Sequence, residues 1–85
     1  MYKLLFSNEG KACLASLDKK TAQRVLNKLK WLLQNIDSIS HLSLTGNFSG
    51  LFKLRIGDWR VIYEINHQNQ IVTVYNIGHR REIYK

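Results

Sequence analysis

Lys53, Arg55 and Arg60 fall within the run Leu51-Phe52-Lys53-Leu54-Arg55-Ile56-Gly57-Asp58-Trp59-Arg60-Val61-Ile62-Tyr63. Apolar residues alternate with others on either side of Gly57-Asp58. This is the pattern of two strands joined by a two-residue turn, in which Gly supplies positive φ. Side chains alternate faces along a strand. Phe52, Leu54 and Ile56 therefore share one face with Trp59, Val61, Tyr63 and Ile65. The turn pairs Ile56 with Trp59, Arg55 with Arg60, Leu54 with Val61 and Lys53 with Ile62, and the apolar faces coincide, which fixes the register. Lys53, Arg55 and Arg60 are then gathered on the other face. Like charges directly opposite destabilise a strand pair by up to about 1 kcal/mol, and Glu64 lies too far along to neutralise them. Converging cations suit a phosphate; the alternative is a solvated face whose long side chains splay apart. The closing run Gly78-His79-Arg80-Arg81-Glu82-Ile83-Tyr84-Lys85 would form a second wall of such a site, although alone it would be an ordinary basic tail.

The whole chain is biased the same way. Its 85 residues carry a formal net charge of +7, which favours a polyanionic partner: nucleic acid, an acidic protein or an anionic membrane. A basic domain with no nucleic-acid role is the alternative. The single cysteine, Cys13, excludes an intrachain disulfide and reads as a small core residue among Ala12, Leu14 and Leu17. The opening Met1-Tyr2-Lys3-Leu4-Leu5-Phe6 is too short an apolar run for a signal peptide. No apolar run approaches the roughly 20 residues needed to span a bilayer. The expectation is one domain over 1–85, in a reducing, cytoplasmic compartment, with no membrane association.

The elements that must position these residues follow from periodicity. Tyr2 to Phe6 reads as a strand. Ser7-Asn8-Glu9 offers an N-cap and a first-turn acid for a helix from about Asn8 to Leu17, and Asp18 caps the next. Ala22, Val25, Leu26, Leu29, Leu32, Leu33 and Ile36 recur at helical spacing. Residues 36–47 read as loop. Strands are expected at Leu51–Ile56, Trp59–Ile65 and Ile71–Ile77. The predicted fold is α+β: an N-terminal strand, a helical hairpin and a three-stranded antiparallel meander, in the order β-α-α-β-β-β. The helices cover one face of the sheet. Trp59 falls on the core face. Trp31 lies off the main helical stripe, as a semi-buried flank or a protein contact. His41 and His67 fall in loops and are expected to be solvated.

The run from Leu51 to Tyr63 resembles the core signature of the RelE/ParE toxin superfamily, and Gly78 to Tyr84 is similar to the closing motif of its RelE branch. The element order agrees over essentially the whole chain. The resemblance implies a toxin of a toxin–antitoxin pair that enters the ribosomal A site and cleaves mRNA. The 2′-hydroxyl of a nucleotide attacks its own 3′ phosphate, leaving a 2′,3′-cyclic phosphate and a free 5′-hydroxyl. Lys53 and Arg55 match the two basic positions of the first late strand, although Arg55 departs from the lysine of the nearest pattern. Arg60 matches the arginine that stabilises the transition state, Arg80 the arginine of the closing motif, and Tyr84 the tyrosine that stacks on a base. His79 is a further departure; some branches place a histidine nearby for proton transfer. Implied partners are a cognate antitoxin, the ribosome and mRNA. The toxin would be monomeric when free and hetero-oligomeric with its antitoxin. Lys19, Lys20, Lys28, Lys30, Arg81 and Lys85 are candidates for contact with RNA or the ribosome; the helical lysines could equally serve only to solvate the helices.

Such a reaction needs a base, an acid for the leaving oxygen and stabilisation of the phosphorane charge. Neither motif holds a pair of acids or histidines, and no Asp, Glu, His or Cys cluster has metal-ligand spacing. A metal-independent mechanism without a cofactor is therefore expected, with Arg55, Arg60 and Arg80 supplying the electrostatic stabilisation. A free lysine titrates near 10.4, but neighbouring cations favour the neutral amine, which makes Lys53 the candidate base. His79 is the rival for base or acid. Two other functions fit a basic chain of this type: a ParE-type toxin that poisons DNA gyrase by binding, and an RNA-binding module without cleavage.

Overall fold

The computed structural model describes residues 1–46 and 49–83. The elements in order are β1 (Lys3–Phe6), α1 (Asn8–Ser16), α2 (Lys19–Gln34), β2 (Leu42–Ser43), β3 (Phe52–Ile56), β4 (Trp59–Asn66) and β5 (Ile71–His79). They form a five-stranded sheet in the order β1-β5-β4-β3-β2. β1 runs parallel to β5, and the other neighbours are antiparallel. The α+β order and the antiparallel β3-β4-β5 meander are as the sequence predicts. The sheet is wider than a bare meander because β1 joins its far edge and β2 its near one. β2 lies in the stretch expected to be loop. Only Leu42 and Ser43 pair, with Lys53 and Phe52, too few residues for a period of two to show.

Both helices start on side-chain caps. Ser7 Oγ accepts from the Gly10 N–H at 3.0 Å. Asp18 Oδ2 accepts from the Thr21 N–H at 3.1 Å; hydrogen bonds from Thr21 hold the Asp18 carboxyl below the usual range. α1 lies hard against β5. A Cβ on Gly10 would stand 2.3 Å from the Val74 carbonyl oxygen, so only glycine permits this approach. The helical stripe packs as its spacing requires: Val25, Leu29, Leu32 and Ile36 are buried against Ile56, Val61, Tyr63, Val72, Val74 and Ile77. Cys13, Trp59 and Leu54 pack at the margin of this core, and the Cys13 thiol donates to Asn76 Oδ1 at 3.1 Å.

The opposite face of the sheet is not bare. Ile62 and Ile83 are both buried there. The chain leaving β5 makes one turn, with the Glu82 and Ile83 N–H groups donating to the His79 carbonyl at 2.9 and 3.1 Å. This folds Ile83 over Gly78, where an added Cβ would meet the Ile83 Cβ at 3.3 Å. Gly78 pairs with Arg60, so the tail closes over the cationic side of the sheet.

Candidate RNA-cleavage face

The β3–β4 hairpin sets the geometry. Gly57 has φ of +61° while Asp58 is not at positive φ, and positive φ at the first turn position but not the second is the mark of a type II′ turn. The register pairs Arg55 with Arg60 and Lys53 with Ile62, which places the side chains of Lys53, Arg55 and Arg60 on one side of the sheet. Their environments differ. Arg55 is exposed. Arg60 is the one buried charged residue among those described, 8% exposed. Its Nη1 donates to the Gly57 carbonyl at 2.7 Å and to the Trp59 carbonyl at 2.8 Å. These bonds hold the guanidinium against the hairpin it belongs to, with Nη2 and Nε outside them. Arg60 is thus part clamp and part cation, where the sequence suggested only the cation.

The tail is fastened to the same turn. The Arg80 N–H donates to the Asp58 carbonyl at 2.8 Å, and Arg80 Nε lies 3.7 Å from Asp58 Oδ1. Both side chains of that ion pair are more than half exposed, so it steers orientation and adds little stability. Arg24 arrives from α2, its Nη2 lying 2.8 Å from where a Gly57 Cβ would stand. Arg24 from α2, Arg60 from β4 and Arg80 from the turn after β5 therefore stand around one hairpin turn. Arg24 and Asp58 were missing from the sequence-derived site. Arg24 sits on the polar side of α2, and no sequence spacing reports its distance from residue 57.

His79 does not share the face of Arg60. It pairs with Trp59, and the rings meet edge to face at 5.8 Å, on the core side of the sheet and away from Arg60. Its Nδ1 accepts from the Arg81 N–H at 3.3 Å, which makes it a support for the tail turn. The cause is the alternation of faces: Gly78, one residue earlier, is the neighbour of Arg60. Arg81 is exposed on the same turn. Tyr84 and Lys85 lie outside the described residues.

The helical cations divide. Lys19 and Lys20 line a shallow groove of about 500 Å³ with Arg24 and Asn27. Lys28 lines the next, of about 490 Å³, with Arg24, Trp31 and Arg55. These stretches lead towards the hairpin. Lys30 lies apart, beside Met1, Tyr2 and Leu33. His67 is exposed and bonded to the Tyr2 hydroxyl at 2.7 Å. His41 corrects the expectation of a solvated loop residue. Its Nε2 is 2.8 Å from the Ile36 carbonyl and its Nδ1 2.6 Å from the Tyr63 hydroxyl. A carbonyl can only accept, so Nε2 donates, and Nδ1 shares a hydrogen bond with the Tyr63 hydroxyl. Among the described residues there is no group of three His, Cys, Asp or Glu able to hold a metal ion, and no helix long and apolar enough to cross a membrane.

Residues 4–84 match the model of a family described as the ParE toxin of the type II toxin–antitoxin system parDE. The chain belongs to this ParE toxin family. Solved structures extend the likeness of fold to RelE toxins. The RelBE2 toxin–antitoxin complex of Mycobacterium tuberculosis superposes with a TM-score of 0.81 at 21% identity, covering 93% of this chain and 98% of the other. The isolated Escherichia coli RelE toxin gives 0.78 at 22% identity, covering 99% and 92%. E. coli YafQ gives 0.65 at 16% identity over the full length of both chains. At such identities the likeness is one of fold. None of the curated proteins matches the chain in sequence. This ParE-family chain is thus a type II toxin–antitoxin toxin with the RelE/YafQ fold.

Proposed function

We propose that this toxin is a ribosome-dependent endoribonuclease, cutting mRNA in the A site by attack of a 2′-hydroxyl on the adjacent phosphate. The observation that carries this reading is the hairpin: the register sets Arg55 opposite Arg60, and Asp58 fastens Arg80 to the same turn. Cations fixed before substrate arrives can stabilise a phosphorane without reorganising at the moment of reaction. Lys53, beside Arg55 on the same strand, is the proposed base, and Tyr84 the proposed base-stacking residue. Lys19, Lys20, Lys28, Arg81 and Lys85 would contact the RNA or ribosome backbone. Lys30, on the far flank, is the weakest member of that set. The placement of His79 against Trp59 favours a role in holding the tail over one in proton transfer. No step in this scheme uses a metal ion or cofactor. Because several of the solved relatives are toxin–antitoxin complexes, we also propose a cognate antitoxin, with the free toxin monomeric and cytoplasmic.

The test is cleavage of a ribosome-bound mRNA by the purified protein. The expected products carry a 2′,3′-cyclic phosphate and a 5′-hydroxyl. A second reading has its own support. The family description is of ParE toxins, and ParE-type toxins poison DNA gyrase without cutting RNA. Plasmid supercoiling by gyrase, assayed with the same preparation, separates the two: inhibition there with intact mRNA would favour the second.

A further inference from the structure

Val72, Val74 and Ile77 of β5 all face the helices, within the core. Strict alternation leaves one residue between two inward ones. Between Val74 and Ile77 stand two, Tyr75 and Asn76, and the β4–β5 register slips beside them, between Ile62 and Tyr63. Such a bulge re-aims side chains. α1 engages one of the pair: the Cys13 thiol donates to Asn76 Oδ1 at 3.1 Å. Tyr75, following the inward Val74, is sent to the face without helices. It is half-buried and takes no part in the core that holds Tyr2, Phe6, Phe52, Trp59 and Tyr63. Trp31 belongs to α2, so among the described residues Tyr75 is the one Phe, Tyr or Trp on that open face. Its surroundings there are graded in charge. Ile62, at the slip, pairs with Lys53 on its other side, and Arg60 stands two residues back along β4, ~7 Å away. Two residues onward on the same face is Glu64, paired with Thr73. Leu5 pairs with Thr73 from β1 and is 49% exposed, which widens the apolar middle. A phosphate is attracted at the Arg60 end and repelled at the Glu64 end, so the part of a nucleotide that suits the middle is its uncharged base.

We propose that Tyr75 binds the RNA substrate, its ring stacking on the base of a nucleotide whose phosphate lies among Lys53, Arg55 and Arg60. Stacking of a base on an aromatic side chain tolerates any sequence and contributes about 1–3 kcal/mol per base, tenfold or more in affinity. The inference rests on the cleavage reading for the identity of its ligand, and it adds a second platform to the one proposed for Tyr84. The bulge is what supplies it: without the extra residue, β5 would present one side chain fewer between Val74 and Ile77. A ring that served only to shield Ile62 would be replaceable by leucine with no effect on RNA.

The probe is a 2′-O-methyl oligouridylate, which has no 2′-hydroxyl to attack and so stays intact, with 5-iodouridine placed at each position in turn. Irradiated with the full chain, it should form an adduct at Tyr75, located by mass spectrometry of the digested protein. By fluorescence anisotropy, Tyr75→Leu should bind the same oligonucleotide about tenfold more weakly, while Tyr75→Phe, which keeps the ring, binds as the wild type does. Leucine retains an apolar cover over Ile62, so the loss of affinity reads stacking and not folding. The proposal is overturned by the absence of a Tyr75 adduct at saturating protein, or by wild-type affinity in Tyr75→Leu. Its failure is separable from failure of the cleavage reading. A chain that cuts ribosome-bound mRNA and gives no Tyr75 adduct loses this inference alone, and one that gives the adduct without cutting loses the cleavage reading alone.

Discussion

At the scale of single residues, Arg60 and Tyr63 carry opposite lessons about burial. Arg60 is accommodated under the tail because two carbonyls of its own hairpin accept from Nη1. Replacing it by Ala removes the donor to both and leaves a hole beside Ile62. Arg60→Ala should lower the unfolding free energy by roughly 1–3 kcal/mol, read as a shift of the urea midpoint. An unchanged midpoint would show that the carbonyl clamp contributes nothing. Tyr63 is buried without charge, and burial pushes its phenol from 10.0 up to about 12. The folded state therefore resists ionisation that the unfolded chain accepts. The contribution is fully present below pH 10 and is lost as the pH climbs to about 12, by an amount on the order of 3 kcal/mol. Denaturation midpoints measured across that range should fall, and the fall should be smaller in Tyr63→Phe. Strand alternation made the side of Arg60 legible in the sequence. Its burial was not, since that depends on Ile83 meeting Gly78, and neither was the His41–Tyr63 bond, which joins a loop to a strand 22 residues away.

At the scale of elements, the hairpin and the α1–β5 contact hold the molecule in register. The two-residue turn, the cap residues Ser7 and Asp18 and the stripe of α2 were all readable, because each is a local pattern of a few residues. β2 was not, and neither was the parallel pairing of β1 with β5, which depends on contacts between chain ends. Gly10 tests how tightly these elements fit. In an ordinary helix interior, Gly to Ala gains about 0.8–1.0 kcal/mol. Here the methyl would meet the Val74 carbonyl oxygen at 2.3 Å, and overpacking of this kind costs typically 1–3 kcal/mol. The clash is with backbone and should win, so Gly10→Ala is expected to lower the melting temperature. A higher one would mean that α1 can lift from β5 at no loss.

At the scale of the whole molecule, the net charge is +7, and among the described residues two cationic regions stand out, the hairpin with its tail and the flank of α2, with Lys3, Lys11 and Lys30 outside both. If about five phosphates contact these cations, the logarithm of RNA affinity should fall against the logarithm of salt concentration with a slope near −3.5, measurable by fluorescence anisotropy with a short single-stranded RNA. A slope near zero would detach the net charge from function. The bias towards a polyanion was plain from composition, but composition could not say that Arg24, Arg60 and Arg80 share one turn while Lys30 stands apart. That sharing is the core of the account, and single-turnover cleavage of ribosome-bound mRNA tests it most directly. Arg55→Ala and Arg80→Ala should each slow cleavage on the order of 10²–10³-fold, with Lys11→Ala at the wild-type rate. Wild-type rates in both arginine variants would contradict it.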